Sequence, residues 1–207
     1  MATDASRASA ERIVIASSNR GKVREIREIL RETIRHGRAL ELIDLADLSP
    51  VSFPEEGVDY RTNAIEKARA VAMQAGEIAL ADDSGLEVDA LEGRPGPLSA
   101  RFGGTGLDDA GRIERLLREL REIPSQRRSA RFVCVAALVT PAGDVLSARG
   151  ECRGEILAAA VGRGGFGYDP VFRVSGLTRT MAELTSDEKN RISHRARAFR
   201  ALFDAWG

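Results

Sequence analysis

Lysine is nearly missing from this 207-residue chain. Of its 31 basic residues only Lys22, Lys67 and Lys189 are lysines, and the other 28 are arginines. In so arginine-biased a background, each surviving lysine marks a place where a compact ammonium is wanted and a planar guanidinium does not fit, or stands there by chance. Net charge is also lacking: 31 basic residues balance 31 acidic ones. A duplex nucleic-acid binder needs a basic surface, so the balance argues against that class, whereas a small phosphorylated ligand needs only a few local cations. No apolar run approaches the roughly 20 residues of a membrane span, and Met1–Glu11 has no apolar core of a secretory signal. This Ala/Ser/Arg-rich stretch is expected to be a disordered tail ahead of one domain over residues 12–207. The two cysteines, Cys134 and Cys152, form no C-x-x-C pair, which argues against a zinc site and fits a reducing, cytoplasmic setting. Histidine is equally scarce, at two residues.

What the chain does have is concentrated between Ala81 and Gly104, ADDSGLEVDALEGRPGPLSARFGG. Ile78–Leu80 is a short apolar run, read as a buried strand that ends where Asp82 and Asp83 begin. Paired carboxylates there are hard oxygen ligands suited to Mg²⁺, although Asp-Asp-Ser-Gly is also an ordinary solvated turn. Side chains alternate along a strand, so the two acids cannot both face one ion, and Asp83 is the one backed. Gly93, Pro95, Gly96 and Pro97 crowd the following loop, as expected of a rigid support for Ser99–Phe102.

Upstream, Arg12–Ser17 reads as a strand entering a helix through Ser17-Ser18-Asn19-Arg20-Gly21-Lys22, with Asn19 as the cap. Backbone N–H groups, two hydroxyls and Lys22 at a helix start suit phosphate, and a plain capped surface helix remains the alternative. Leu40–Leu45 reads as a second strand. Asp59 is expected to cap a helix to about Ala75, with Asn63 and Lys67 one turn apart and facing one cleft. Asp108 caps a third helix, to about Glu122, and Arg131–Thr140 and Asp144–Cys152 read as a hairpin whose first strand is buried on both faces.

Gly162, Gly164 and Gly167 formally match G-x-G-x-x-G, but Asp169-Pro170 follows at once and forbids the helix a dinucleotide fold requires. Phe166 and Tyr168 are instead offered as aromatic surface for a flat ligand. Thr185 and Glu188 form a capping box for a last helix, with Lys189, His194 and Arg195 off its apolar stripe. Alternating strands and helices indicate α/β, with the hairpin making the sheet mixed.

These residues resemble the inosine/xanthosine triphosphate pyrophosphatase (ITPase-like) family from about Ile13 onward. The resemblance rests on Ser17, Asn19 and Lys22; on Glu55 with Asn63-Ala64-Ile65-Glu66-Lys67-Ala68; and on Ala81–Leu86. It rests also on Pro95–Phe102, Gly164–Phe172, Ala182–Lys189 and Ser193–Arg195. All three lysines fall inside these motifs. One departure is Asp59-Tyr60-Arg61-Thr62 where the family usually carries T-F-x-E, which keeps the cap and loses its reciprocal Glu bond.

The resemblance implies an elongated mixed sheet flanked by helices, two lobes with a cleft between them, and a homodimer. It implies hydrolysis of ITP, dITP or XTP to the monophosphate and pyrophosphate with Mg²⁺. It places Ser17, Ser18, Asn19, Arg20, Gly21 and Lys22 on the phosphates, with Lys67 also on the substrate. It makes Asp83 the general base and a metal ligand, and Glu55 the second metal carboxylate. Ser84, Phe166, Gly167, Tyr168, Asp169, Lys189, His194 and Arg195 hold the nucleotide. Donors aimed at a 6-oxo group would reject adenine, by roughly 10⁴-fold in a site built on such contacts. Guanine shares that oxygen, so its rejection needs a further contact at the 2-position. A Maf-like pyrophosphatase and a non-catalytic nucleotide sensor are the rival readings. The intact SHR and GGFGYDP segments argue against the first, and Glu55 with Asp83 against the second.

Overall fold

The computed structural model describes residues 10–34, 40–104 and 106–206, so most of the expected N-terminal tail lies outside the described residues. The β-branched run Arg12–Ile15 forms most of β1 (Glu11–Ile15), which pairs in parallel with β2 (Leu40–Asp44) on one side and β3 (Ile78–Val88) on the other. Parallel neighbours need crossovers. α1 (Arg20–Ile34) and α2 (Tyr60–Ala75) supply them. Both caps form as their residues dictate: Asn19 Oδ1 accepts from Lys22 N at 3.0 Å, and Asp59 Oδ1 from Thr62 N at 2.8 Å.

The remaining pairings are antiparallel. β3 pairs with β5 (Ser129–Val139), β5 with β6 (Val145–Ile156), and β6 with β7 (Phe172–Val174). The short β4 (Pro95–Gly96) pairs with the far end of β3. The sheet is therefore mixed, in the order β2-β1-β3-β5-β6-β7. α3 (Asp109–Glu119) starts at the Asp108 cap.

Two expectations are corrected. β3 does not stop at Leu80. It continues through both aspartates to Val88, so Asp82-Asp83-Ser84-Gly85 is strand and not a turn. The reason is pairing: β5 runs alongside without a break, from Ala79↔Val139 to Val88↔Ala130. Within that strand position 85 is glycine because β4 crosses so closely there. A Cβ on Gly85 would meet the Gly96 carbonyl oxygen at 2.0 Å. The last helix is also two helices, α4 (Ser186–Ile192) and α5 (His194–Trp206), with Ser193 extended between them. Cys134 and Cys152 are both free and buried.

Among the described residues three apolar clusters form around this sheet. One packs α2 against Val14, Ala79, Ala81, Val133 and Val135. The second packs α1 and α5 on the opposite face, around Ile15, Leu80, Cys134, Ala136 and Phe199. The third gathers Leu86, Val88, Leu116, Phe132, Phe172 and Met181. Along β3 the apolar pattern runs to Ala81 and resumes at Leu86. The polar residues between fall where the third cluster meets the other two.

Candidate active site

Strand pairing opens a window at those residues. β1 accompanies β3 only as far as Ile15↔Leu80, and β4 joins the same strand only at Leu86↔Gly96. From Ala81 to Gly85 one edge of β3 has no partner strand among the described residues. A ligand lying over that edge can reach both faces of the strand, and so both acids.

Each acid has its own lysine. On one face Asp82 Oδ2 accepts from Ser84 Oγ at 2.6 Å and from Arg195 Nη2 at 3.1 Å, and lies 3.1 Å from Lys22 Nζ. On the other, Asp83 Oδ2 accepts from Asn63 Nδ2 at 2.8 Å, and Oδ1 is 3.5 Å from Lys67 Nζ. Only 2% of Asp82 and 4% of Asp83 are exposed, yet their pKa values shift in opposite directions. Burial alone would push the Asp82 carboxyl up, but the Lys22 and Arg195 charges outweigh it and hold Asp82 far below the usual carboxylate range. For Asp83 burial wins over Lys67 and Asn63, and its pKa is raised. One carboxylate is a fixed charge and its neighbour is a proton acceptor tuned upward, a division of labour suited to acid–base chemistry.

α2 and the loop before it serve Asp83. Asn63 fixes that loop by bonding both Gly57 N (2.8 Å) and Gly57 O (3.0 Å) while donating to Asp83. Lys67 bridges Asp83 to Glu56, which it meets at 2.9 Å. Glu55, the loop carboxylate expected beside Asp83, is exposed, and its neighbour Glu56 is the one drawn inward. Both line a cavity of about 290 Å³ with Asn63 and Lys67.

The opposite face is organised by a residue sequence reasoning missed. Glu25 on α1 is 2.6 Å from Lys189 Nζ and also pairs with Arg195 Nη1. Its carboxyl is buried, and those two cations overcome the burial and keep it ionised. Lys189 in turn lies 2.5 Å from Asp169 Oδ2, and that oxygen accepts from Phe166 N at 3.0 Å. The chain of contacts fixes the glycine-rich loop to α1 and α4. The available signal was spacing: Glu25 lies three residues after Lys22 on one helix, hence on the same face.

Phe166 sits with Lys189 Nζ 5.0 Å and Arg195 Cζ 5.6 Å from its ring centre. Gly21 lets the ring approach α1, since a Cβ there would meet it at 2.8 Å. A second cavity, about 310 Å³, is lined by Asn19, Lys22, Ser84, Phe166, Gly167, Tyr168, Asp169, Lys189, His194 and Arg195. That size suits a base and its sugar, at the low end of ligand pockets. His194 stacks on Phe132 at 4.8 Å, and its Nδ1 is buried without a partner. Burial, then the Arg195 and Lys189 charges, holds its pKa well below the ordinary value, so the ring is neutral. Tyr168 is placed differently from the aromatic surface expected: it is buried, and its hydroxyl donates to Ser99 O at 2.9 Å. Ser17, Ser18 and Arg20 line a separate groove of about 780 Å³ between α1 and the segment after β2. The structure thus brings Asn19 and Lys22 to the base-sized cavity and leaves these three beside it.

Among the described residues no three His, Cys, Asp or Glu side chains cluster as a metal cage. That donor set still fits Mg²⁺, which typically takes one or two carboxylates and completes its shell with water and substrate phosphates. Asp83 and the Glu55–Glu56 pair are the oxygen donors at hand.

The profile of the Ham1 family matches residues 13–205. A Frankia alni protein named dITP/XTP pyrophosphatase is 49% identical, over 92% of this chain and 95% of its own length. A Bacillus cereus protein of the same name is 46% identical, over 94% of each. The solved structure of a HAM1 protein from Coxiella burnetii superposes with a TM-score of 0.83 at 41% identity, covering 95% of this chain and 98% of the other. A Mycobacterium abscessus nucleoside-triphosphatase / dITP/XTP pyrophosphatase gives 0.73 at 43% identity, over 95% and 100%. Matched by the family profile over residues 13–205 and by relatives and solved structures along nearly its whole length, the chain belongs to the Ham1 family.

Proposed function

We propose that this protein hydrolyses the non-standard purine nucleoside triphosphates ITP, dITP and XTP to the monophosphate and pyrophosphate. The observation that carries the reading is the unequal pair on β3. Asp83, buried and raised in pKa, stands at an open strand edge beside a base-sized cavity, with Asp82 anchoring cations on the other face. Relatives named dITP/XTP pyrophosphatase, at 46–49% identity, support it.

The steps follow from the side chains. The base enters the cavity lined by Phe166 and His194, whose ring is neutral and can hydrogen-bond a 6-oxo group. Four of the five N–H groups of Arg195 point at Glu25, Asp82 and Ser84, so its main work is to hold the strand acid and one N–H remains for ligand. The triphosphate leads past Lys22 and over the open edge toward Lys67, where ammonium charge offsets its own. A water hydrogen-bonded to Asp83 loses a proton to that carboxylate as its oxygen bonds to the α-phosphorus. The bond from that phosphorus to the bridging oxygen breaks, and pyrophosphate leaves with the electron pair. Asn63 and Lys67 keep Asp83 oriented throughout. Mg²⁺, held by Asp83 and a loop glutamate, Glu55 or Glu56, would neutralise phosphate charge. The same resemblance extends the reading to a homodimer working in the cytoplasm.

A panel of nucleoside triphosphates with Mg²⁺, assayed separately for pyrophosphate and orthophosphate, tests the proposal. Pyrophosphate from ITP, dITP and XTP, with little from ATP and GTP, is expected. Orthophosphate with a diphosphate product, or no turnover of ITP and XTP, would overturn it.

A further inference from the structure

The base-sized cavity has a wall that none of the motifs account for. It is formed by the first turn of α3, which contributes Asp109 and Arg112 beside Ser99, Ala100 and Tyr168. Asp109 Oδ2 accepts from Gly167 N at 2.7 Å, so this turn is tied to the loop that carries Phe166. Arg112 is held only loosely: its Nη1 is 3.9 Å from Asp109 Oδ1, beyond hydrogen-bond distance, and its Nε is buried with no partner. A buried guanidinium donor left unsatisfied costs free energy. Arg112 itself lines a cavity that takes a ligand, and its terminal N–H groups, beyond hydrogen-bond distance of Asp109, are the donors an acceptor on that ligand can meet.

The cavity has a direction. On the reading above, Asn19 and Lys22, which line it from the start of α1, take the phosphates. In a purine nucleotide the sugar joins at N9, and the edge bearing positions 2 and 6 lies farthest from it. With phosphates at α1, that edge points into the cavity, where His194 and Arg112 both line the wall. His194 is neutral and suits the 6-oxo group common to hypoxanthine, xanthine and guanine. What separates these bases is position 2, which carries hydrogen, oxygen or an amino group respectively.

Resting on the reading above, we infer that Arg112 is the specificity-determining contact for position 2. Its N–H donates to the 2-oxo group of a xanthine base and meets an amino donor at the same position of guanine. Xanthine also loses a ring proton readily, which places negative charge on the same edge. A cation there favours xanthine, tolerates hypoxanthine and repels the 2-amino group of guanine. A good polar contact of this kind separates substrates by roughly 10-fold or more.

The test is the ratio of kcat/KM for XTP, ITP and GTP in the wild type, Arg112→Gln and Arg112→Lys. The proposal expects the XTP:ITP ratio to fall about 10-fold in Arg112→Gln and to recover in part in Arg112→Lys. The GTP:ITP ratio should rise in Arg112→Gln. Calorimetric binding of XMP, IMP and GMP to the same proteins reads the contact without turnover, and the preference for XMP over IMP should fall in parallel. Unchanged ratios in an active, folded variant overturn the assignment and leave the pyrophosphatase reading standing. A wild type that cleaves none of the three overturns that reading instead, and the monophosphate titrations then still decide on Arg112.

Discussion

Asp82 and Asp83 are neighbours in the chain, yet they face opposite sides of one strand and are paired with different lysines, Lys22 at 3.1 Å and Lys67 at 3.5 Å. Strand alternation imposes this split. The uncovered edge of β3 makes it useful, because one polyanion can meet both sides. The two acids therefore fail differently when changed.

Asp83→Asn keeps the shape and the bond to Asn63 within reach, and removes the proton acceptor. Turnover should fall by about 10²–10⁴-fold, the usual contribution of a positioned base. Binding of the monophosphate product should survive, as titration calorimetry would show. Turnover by this variant within a few-fold of wild type would remove Asp83 from the chemistry.

Asp82→Ala leaves Arg195, only 2% exposed, and Lys22 without their shared carboxylate. Removing one partner of such a buried pair costs roughly 3–5 kcal/mol. Denaturant midpoints should show a large loss for Asp82→Ala and a smaller one for Asp83→Asn. The pH sign follows from Asp82's depressed pKa. Its stabilisation is full above the unfolded carboxylate range and is lost as pH falls toward the folded value. The gap between wild type and variant should therefore close in strong acid, and a gap that widens there would contradict the pairing.

Glu25 touches no reacting atom. It positions Lys189 and Arg195. Glu25→Gln should raise KM for ITP about 10-fold with a smaller change in kcat, the pattern of lost ground-state binding. Glu25→Asp should recover part of it. A variant that loses kcat alone, or one that merely melts earlier with KM intact, would not fit a positioning role.

The acid limb of kcat/KM reports groups of the free enzyme. Burial raises Asp83, and Lys67 pulls it back. Lys67→Met removes the lowering charge and should shift the limb to higher pH. A pH–rate series on both proteins settles the direction, and a shift to lower pH would refute it.

Much of this was legible in the sequence, for physical reasons. Helix caps are local, so Asn19, Asp59, Asp108 and Thr185 could be named from neighbouring residues alone. The three lysines stood out against the arginine background, and each meets a carboxylate bordering the cleft. Strand alternation separated Asp82 from Asp83. The run of β3 through both acids was not legible, because β5, roughly 50 residues later, holds those polar residues in the sheet. Glu25 was hidden because its partners lie more than 160 residues away. The inward turn of Glu56 in place of Glu55 depends on Asn63 clasping Gly57, a tertiary contact with no pattern of its own. The break at Ser193 was masked by a continuous apolar stripe from Ile192 to Trp206.

The central claim is that a water activated by Asp83 attacks the α-phosphorus. Hydrolysis of ITP in ¹⁸O-labelled water, with mass analysis of both products, tests it most directly. The account predicts one labelled oxygen in the inosine monophosphate and none in the pyrophosphate. Label in the pyrophosphate, or in released orthophosphate, would mean that water strikes a different phosphorus and would contradict it.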